Sequence, residues 1–270
     1  MGLGANLTLI LLMDGKDTSA YWNSGIQEYS NTGNLEWYPE FRDTTPDGLY
    51  YCMSVCLYSK DDLPLRMFYL NSSPWWLRRI YPDCLWEMPP EDGKVYLTFD
   101  DGPHPEATPI VLDMLAAAGA KASFFCIGDN VRKYPEIYQR IVQEGHRVGN
   151  HSYHHLNGWK TNNGAYLKDI HEAQMLIDSD LYRPPYGRIR RAQIRALRSM
   201  GMQPVMWSLL SGDFDPQLSE EQCAENILRN LAPGHIVVFH DSKKALQKMQ
   251  YALPLVLQLI SERGWVAEKL

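Results

Sequence analysis

Two adjacent aspartates, Asp100 and Asp101, stand at the end of an apolar run and are followed by Gly102-Pro103. The run, Val95–Phe99, has the composition of a buried strand, and the Gly-Pro pair ends the strand and turns the chain. Successive side chains at a strand end point in different directions, so one carboxylate can bind a cation while the other transfers protons. In isolation, these residues are more typical of a turn with two solvated acids. The choice between these interpretations depends on whether complementary groups occur elsewhere in the chain.

Ionisable side chains recur where later strand-like runs end. They are His151, Arg183, Asp213 and His240. The carboxyl ends of parallel strands meet at one face of a barrel, and the chemistry of such folds lies at that face. Five of the seven strand ends then direct ionisable groups toward one mouth, which favours an active site over a solvated turn.

A metal site is predicted from Asp101, His151 and His155. The two histidines are four residues apart, so a helical turn would place both imidazoles on one face. Two imidazoles and one carboxylate form a ligand set that leaves a coordination position open for water. This mixed nitrogen and oxygen set fits Zn²⁺ best, and Co²⁺, Ni²⁺ or Mn²⁺ stay open on ligand type. The neighbouring His154 is expected to point away from the metal.

The elements that must position these groups begin at Lys94, where strand-like and helix-like stretches start to alternate. Seven strand–helix alternations in about 175 residues favour a parallel sheet, most economically a barrel of β/α units. The strand-like runs are Val95–Phe99, Ala122–Ile127, Arg147–Asn150, Leu181–Arg183, Gln203–Trp207, Ile236–His240 and Trp265–Ala267.

The helix-like stretches carry start and stop signals. Thr108-Pro109 is expected to begin the first of them, and Ser219 with Gln222 forms a plausible capping box. Glycines are expected to end four of the helices. The stretches are Thr108–Ala118, Pro135–Glu144, Tyr166–Asp178, Ala192–Met200, Ser219–Leu231 and Ala245–Arg263.

The bulk composition is that of a globular protein. The chain has 270 residues, 45% hydrophobic and 21% charged, with a net charge of −6, which gives no electrostatic footprint for nucleic acid. No run approaches the ~18 apolar residues that a membrane span needs. The apolar stretch 6–13 is short and lacks a preceding basic residue, so a signal peptide is not expected and a cytoplasmic location is the default. Five scattered cysteines do not indicate a disulfide framework.

Residues 1–90 are predicted to form an N-terminal extension of uncertain structure, and residues 91–270 the catalytic domain. The stretch 49–58 has the composition of a strand. It either pairs locally as a strand or forms part of a poorly ordered extension. The segment 74–81 combines aromatic residues with two arginines. Packing against the following domain is favoured there over contact with a membrane surface.

Four ordered motifs resemble those of the polysaccharide deacetylase family, whose common unit is the NodB homology domain. They are Thr98–Pro103, His151-Ser152-x-x-His155, Arg183-Pro184-Pro185-Tyr186 and Val238-x-His240. The resemblance covers about Lys94 to Leu270. It implies an α/β fold, a distorted (β/α)7 TIM-like barrel, and metal-dependent removal of acetyl groups from carbohydrates, usually from the nitrogen of an amino sugar.

The resemblance also implies roles for individual residues. The metal ligands would be Asp101, His151 and His155. Asp100 would be the general base, paired with Arg183, and His240 the general acid, supported by Asp213. In chemical terms, a divalent metal activates water and polarises the carbonyl, and the amine leaves once an acid has protonated it.

The substrate side of the site carries the departures from the family pattern. Tyr186 would offer its backbone N–H to the oxyanion, and Val238 would line the acetyl pocket where the family usually has Leu. Phe214, where relatives often have Trp, and Trp207 would contact substrate. Leu210 stands where many relatives carry an acid, so the identity of the substrate stays open. The expected partner is an amino-sugar glycan.

Two other functions remain open from the sequence. The same metal site is compatible with hydrolysis of a small amide or cyclic imide. A non-catalytic carbohydrate-binding barrel is disfavoured, because the chain retains both the base and the ligands, and function must be argued from the site and not from the fold.

Overall fold

The structure, a computed structural model, describes residues 54–56, 67–90 and 92–270. The apolar stretch 6–13 lies outside the described residues, as does most of the predicted extension. Within the strand-like stretch 49–58, Ser54–Cys56 forms β1, which pairs antiparallel with β2, Met67–Tyr69.

One parallel sheet organises the rest of the chain. Seven of its strands follow the order β7-β6-β5-β4-β3-β9-β8, and β10 pairs with the start of β3. This arrangement is the predicted α/β fold, a curled (β/α)7-type barrel. The strands are β3 (Lys94–Asp100), β4 (Ser123–Cys126), β5 (Arg147–Asn150), β6 (Leu181–Tyr182), β7 (Gln203–Pro204), β8 (Leu209–Leu210), β9 (Ile236–His240) and β10 (Val266–Glu268).

Helices connect the strands, as parallel neighbours require. Gly119, Gly145, Gly201 and Gly264 each follow a helix with φ between 62° and 79°, the left-handed conformation that ends helices, as predicted. The helices are α1 (Trp75–Ile80), α2 (Ala107–Ala117), α3 (Gly128–Lys133), α4 (Pro135–Gln143), α5 (Asn163–Gln174), α6 (Arg191–Ser199), α7 (Glu220–Leu228) and α8 (Leu246–Glu262).

Of the two helix starts predicted from capping signals, the structure confirms one and contradicts the other. Ser219 Oγ accepts from the backbone N–H of Gln222, and the Gln222 side chain accepts from the N–H of Ser219, so the capping box of α7 is confirmed. The expected start of α2 at Thr108-Pro109 is wrong, because α2 begins at Ala107. The reason is that His104 Nδ1 accepts from the Ala107 N–H at 3.3 Å and so caps the helix earlier.

The core lies between the central strands and the helices that cover them. Leu97 and Phe99 of β3 are fully buried. The Phe99 ring stacks on Phe124 of β4 at 5.1 Å and on Phe239 of β9 at 6.0 Å between ring centroids. Burial of each such side chain contributes about 1.5–3 kcal/mol. This packing fixes the middle of the sheet, so the strand ends that carry the polar groups are held in register.

Residues 205–208 join β7 to β8, the two end strands of the seven-strand path, and we call this linker the seam. Residues 70–90 pair with it and with its flanks. Ser73 N–H donates to the Ser208 carbonyl at 2.9 Å, and Met206 N–H donates to the Leu85 carbonyl at 2.7 Å. The strand predicted over Gln203–Trp207 therefore ends at Pro204, since the backbone of Met206 bonds to residue 85 instead of to a barrel strand.

The segment 74–81 forms the short helix α1. Its Leu77 is buried, as the predicted packing role requires, whereas Trp75 is 68% exposed. None of the helices in the described part of the chain is both long and apolar enough to cross a membrane. The domain boundary at residue 90 stays a prediction.

Candidate active site

Asp100 and Arg183 form a buried ion pair at the carboxyl end of the sheet. Asp100 is the last residue of β3, and Arg183 directly follows β6. Arg183 Nη1 donates to Asp100 Oδ1 at 2.8 Å and to Thr98 Oγ1 at 2.7 Å. Arg183 is 0% exposed and Asp100 is 4% exposed. The guanidinium thus fixes the position of the Asp100 carboxylate.

The other side of the Arg183 guanidinium is held by the seam. Its Nε donates to the Val205 carbonyl at 3.4 Å, and its Nη2 donates to the Met206 carbonyl at 3.1 Å. The guanidinium carbon lies 4.0 Å from the centroid of the Phe125 ring. Burial lowers the pKa of Arg183 and the Asp100 charge opposes that effect. An arginine stays protonated in such a site, so the buried charge is compensated and not lost.

Asp101, His151 and His155 converge next to this pair. Asp101 Oδ1 lies 3.2 Å from His155 Nε2 and 3.7 Å from His151 Nε2. One ligand atom from each of the three residues lies within 4.8 Å of the others, so the set can hold a metal ion. Asn130 Nδ2 donates to the Asp101 carbonyl at 2.8 Å and secures the turn that carries Asp101.

The helical turn predicted for His151 and His155 is wrong. Residues 151–157 form a loop, in which Ser152 has φ 64° and His155 has φ 58°. These two left-handed residues reverse the chain, and the imidazole rings meet with centroids 5.0 Å apart. Left-handed backbone at residues other than glycine costs of the order of 1–3 kcal/mol and clusters at functional sites. The loop therefore brings the rings together at the expense of local strain.

The protonation of His151 and Asp101 suits a metal. His151 is buried, and its Nδ1 donates to the Arg183 carbonyl at 2.8 Å, which leaves Nε2 free to bind a cation. Burial lowers the pKa of His151 to about 4, so the imidazole is neutral near pH 7. Burial raises the pKa of Asp101, but the hydrogen bond from His155 and the charge of His240 outweigh it and hold that pKa well below its usual range.

His240 and Asp213 form a second carboxylate–imidazole pair. His240 Nδ1 donates to Asp213 Oδ1, and the His240 N–H donates to Asp213 Oδ2, both at 2.7 Å. Burial lowers the pKa of His240, but the charge and the hydrogen bond of Asp213 outweigh it and raise the pKa to about 9. The Phe214 ring packs edge-on against the imidazole, 5.1 Å between centroids. His240 is therefore a protonated imidazole near neutral pH, with the chemistry of a general acid.

Three residues that the sequence did not indicate also shape the site. Asp241 is fully buried, and its Oδ2 accepts from Thr108 Oγ1 at 2.5 Å. Among the described protein atoms, its Oδ1 has no hydrogen-bond partner, and burial raises the pKa of Asp241 to about 8. A side chain at Gly102 would collide with this carboxylate, so the turn after Asp101 requires glycine. The adjacency of Asp241 to His240 was the one sequence signal available.

The other two are Lys244 and Asp169. Lys244 Nζ lies 3.3 Å from Asp101 Oδ2 and is 58% exposed, so an ammonium borders the metal ligands from the loop after β9. Asp169 Oδ2 accepts from the N–H groups of Tyr153 and His154, and Oδ1 accepts from His154 Nδ1 at 2.6 Å. His154 therefore points to Asp169 and not to the metal ligands, as expected.

The residues assigned to the substrate side occupy different surroundings. Tyr186 is 56% exposed with φ 61°, and its ring lies 4.6 Å from that of His155. Val238 is buried in β9. Trp207 is also buried, with its ring 6.0 Å from the Arg183 guanidinium carbon. Of these residues, Tyr186 has the largest exposed surface beside the predicted metal ligands.

One edge of this parallel barrel presents an Asp–His–His set, a carboxylate paired with an arginine, and an imidazole hydrogen-bonded to a carboxylate. These features together define the class of metal-dependent hydrolases. Residues 87–205 match the family profile described as polysaccharide deacetylase. The chain is 34% identical over 183 residues to a peptidoglycan-N-acetylglucosamine deacetylase of Bacillus cereus, an alignment that covers 65% of this chain and 66% of the relative.

Two further comparisons agree. The chain is 34% identical over 157 residues to a chitooligosaccharide deacetylase of Azorhizobium caulinodans, covering 55% of this chain and 74% of the relative. A solved peptidoglycan N-acetylglucosamine deacetylase, in complex with an N-hydroxybenzamide compound, superposes with a TM-score of 0.68 at 30% identity, covering 73% of this chain and 95% of that one. This chain belongs to the polysaccharide deacetylase family, a family of hydrolases that use a divalent metal.

Proposed function

We propose that this chain hydrolyses the acetyl amide of N-acetylglucosamine residues in a glycan, releasing acetate and leaving a free amine on the sugar. Relatives named for peptidoglycan and for chitooligosaccharides support a carbohydrate substrate whose amino sugar is acetylated. The single observation that carries the proposal is that the two adjacent aspartates at one edge of the sheet have different partners. One aspartate faces two imidazoles, and its neighbour faces an arginine.

Asp101, His151 and His155 would hold the divalent metal, for which Zn²⁺ fits the mixed nitrogen and oxygen set best. His151 supports this assignment, because its Nδ1 is committed to a carbonyl and its Nε2 is directed at Asp101. When bound, the metal lowers the pKa of a water molecule and polarises the amide carbonyl.

Asp100 acts as the general base in this proposal. Water adds to the acetyl carbon, and the proton it loses goes to the Asp100 carboxylate as the new C–O bond forms. Arg183 holds this carboxylate in place through the 2.8 Å hydrogen bond to Oδ1. The backbone N–H of Tyr186 is assigned to the oxyanion, in line with the exposed position of this residue beside His155.

His240 acts as the general acid. The C–N bond breaks as the Nε2 proton of His240 passes to the sugar nitrogen, so that the amine leaves in a neutral form. Asp213 fixes the tautomer by accepting from Nδ1, which places the transferable proton on Nε2. Val238, Phe214 and Trp207 are proposed to shape the acetyl and sugar side of the site.

The experiment is a measurement of acetate release from a panel of substrates by metal-reconstituted protein. The panel contains chitooligosaccharides, peptidoglycan fragments, O-acetylated sugars and small amides or imides, with Asp101→Ala as the matched inactive control. Acetate from the N-acetylated glycans alone supports the proposal. Turnover of small amides or imides in preference would support the amidase alternative, and no acetate from any substrate would support the binding-barrel alternative.

The predicted domain boundary between residues 90 and 91 is moved toward the N-terminus in our proposal. We propose that the catalytic domain of residues 91–270 also requires residues 70–90, because these residues hydrogen-bond to the seam.

A further inference from the structure

A cleft of about 340 Å³ lies between α1 and α6, away from the candidate catalytic residues. Arg79, Arg191 and Arg195 line it, with Asp83 as the one acidic residue of the lining. Three guanidinium groups against one carboxylate give the lining a formal charge of +2, in a chain whose net charge is −6. The cleft thus concentrates positive charge on a predominantly acidic protein.

These three arginines lack the acidic partners that Arg132, Arg140 and Arg229 have on other described helices. Among the described residues, no carboxylate oxygen lies within 4.0 Å of the guanidinium nitrogens of Arg79, Arg191 or Arg195. Arg191 makes only a long hydrogen bond, 3.5 Å to the Ile80 carbonyl. By contrast, the exposed Arg132 and Arg229 each pair with an acid on their own helix. The donors that line the cleft are therefore available to an external anion.

The sequence of α6 is also unfavourable for the helix in the absence of such an anion. Arg191 and Arg195 are four residues apart, so two like charges are neighbours on one face. Arg191 is the first residue of α6, where the positive end of the helix dipole disfavours a cation, and the first turn contains no acidic residue. An anion in the cleft would offset both effects.

We propose that the α1–α6 cleft binds the phosphate group of a phosphate ester. Guanidinium groups present paired N–H donors that match the oxygens of a phosphate, and three arginines line this one cleft. Ile80 and Pro82 add an apolar surface that suits the organic part of the ester. The ester is either a phospholipid headgroup or a soluble sugar or glycerol phosphate. The exposed Trp75, on which Arg79 stacks at 5.5 Å, adjoins the cleft and suits both sources.

The test uses the full chain and the double variant Arg191→Gln/Arg195→Gln. Its matched control is Arg132→Gln/Arg229→Gln, which removes the same charge from exposed helix positions elsewhere. Binding of glycerol 1-phosphate and of inorganic phosphate is measured by calorimetry. Co-sedimentation is measured with phosphatidylcholine vesicles that either contain or lack phosphatidylglycerol. The circular dichroism spectrum and the thermal midpoint of each variant report that it is folded, and none of these arginines belongs to the candidate catalytic set.

We expect the cleft variant to weaken binding by about tenfold or more and the control variant to retain it. Selective binding to the anionic vesicles, competed by glycerol phosphate, identifies a lipid headgroup as the source. Binding of glycerol phosphate without vesicle binding identifies a soluble ester. The proposal is overturned if the wild-type chain binds none of these probes, or if the control variant loses binding to the same extent as the cleft variant. These readouts do not depend on deacetylase activity, so the two proposals fail separately.

Discussion

Asp100 and His240 are register partners at the ends of the neighbouring parallel strands β3 and β9. Side chains at paired positions of adjacent strands project from the same face of the sheet, so the candidate base and the candidate acid lie side by side at the edge of the barrel. Each is held by a different buried group, Arg183 for Asp100 and Asp213 for His240. The candidate base and the candidate acid therefore have separate buried partners of opposite charge.

Asp100→Asn should abolish turnover without loss of the metal. The amide keeps the size of the side chain but cannot accept the proton from water, and a general base is worth about 10²- to 10⁴-fold in rate. Asp101→Asn is the matched partner, since it changes the adjacent carboxylate and should lose the metal. Measuring the metal content by mass spectrometry and kcat for both variants tests whether the two aspartates have separate roles. An equal loss of metal in both variants would contradict it.

The pH profile should report His240. Its pKa is raised to about 9, so the imidazole is protonated below that pH and loses its proton, and with it its acid function, above it. A cation near Asp101 repels the imidazolium, so we expect the alkaline limb of kcat to fall somewhat below pH 9 in the metal-loaded enzyme. Asp213→Asn removes the charge that raises the pKa, and the limb should move to lower pH. A limb that stays in place in this variant would show that another group titrates.

Arg183→Met should lower the stability of the fold. It leaves Asp100 buried without its cation, and breaking such a pair costs about 3–5 kcal/mol in the free energy of unfolding. Arg229→Gln is the control, because its pair with Glu225 lies on the exposed face of α7 and should contribute less than about 1 kcal/mol. Urea denaturation of both variants measures the difference. Similar midpoints would mean that the buried pair adds little to stability.

Gly102→Ala should disturb the turn that carries Asp101. A Cβ at this position collides with the Asp241 carboxylate, and overpacking of this kind costs about 1–3 kcal/mol. The second substitution Asp241→Ala, in the same chain, removes the obstacle and should recover part of the loss. Gly164→Ala in α5 is the control, since its nearest neighbour is 3.6 Å away and alanine favours a helix by about 0.5–1 kcal/mol. Thermal denaturation and metal content of the four chains test the prediction.

A chain that starts at residue 70 should fold, whereas one that starts at residue 92 should be much less stable. The second truncation removes the partners of the backbone groups at Pro204, Met206 and Ser208. Each buried backbone group left without a partner costs about 1–3 kcal/mol. Circular dichroism spectra and urea midpoints of the two chains show whether the shorter chain is less stable. Equal midpoints would place the domain boundary near residue 90, as the sequence alone predicts.

The long strands and the polar residues at their ends were predictable, because a run of β-branched and aromatic residues followed by charged residues is a strong local signal. This holds for Val95–Phe99 and for Ile236–His240, which lie within one residue of β3 and β9. The two-residue strand β8 was missed, because Leu209 and Leu210 are too few to form a pattern and are defined by pairing with Val237 and Val238.

The shape of the metal loop could not be read from the sequence. The spacing of His151 and His155 suggests a helical turn, but Asp169 binds the N–H groups of Tyr153 and His154 and holds the loop in another conformation. Such contacts link residues about fifteen positions apart and leave no local signal. The same applies to Lys244 and Asp241, whose neighbours across the site are Asp101 and Gly102.

One guanidinium, that of Arg183, serves both Asp100 and the seam between the end strands of the barrel. Closure of the barrel and orientation of the candidate base therefore depend on the same hydrogen-bond donors. A transient opening at residues 205–208 would withdraw these donors while the packed centre around Phe99 stays intact, since local openings cost less free energy than global unfolding. Heating should consequently inactivate the enzyme reversibly at a temperature where its circular dichroism spectrum is still that of the native protein.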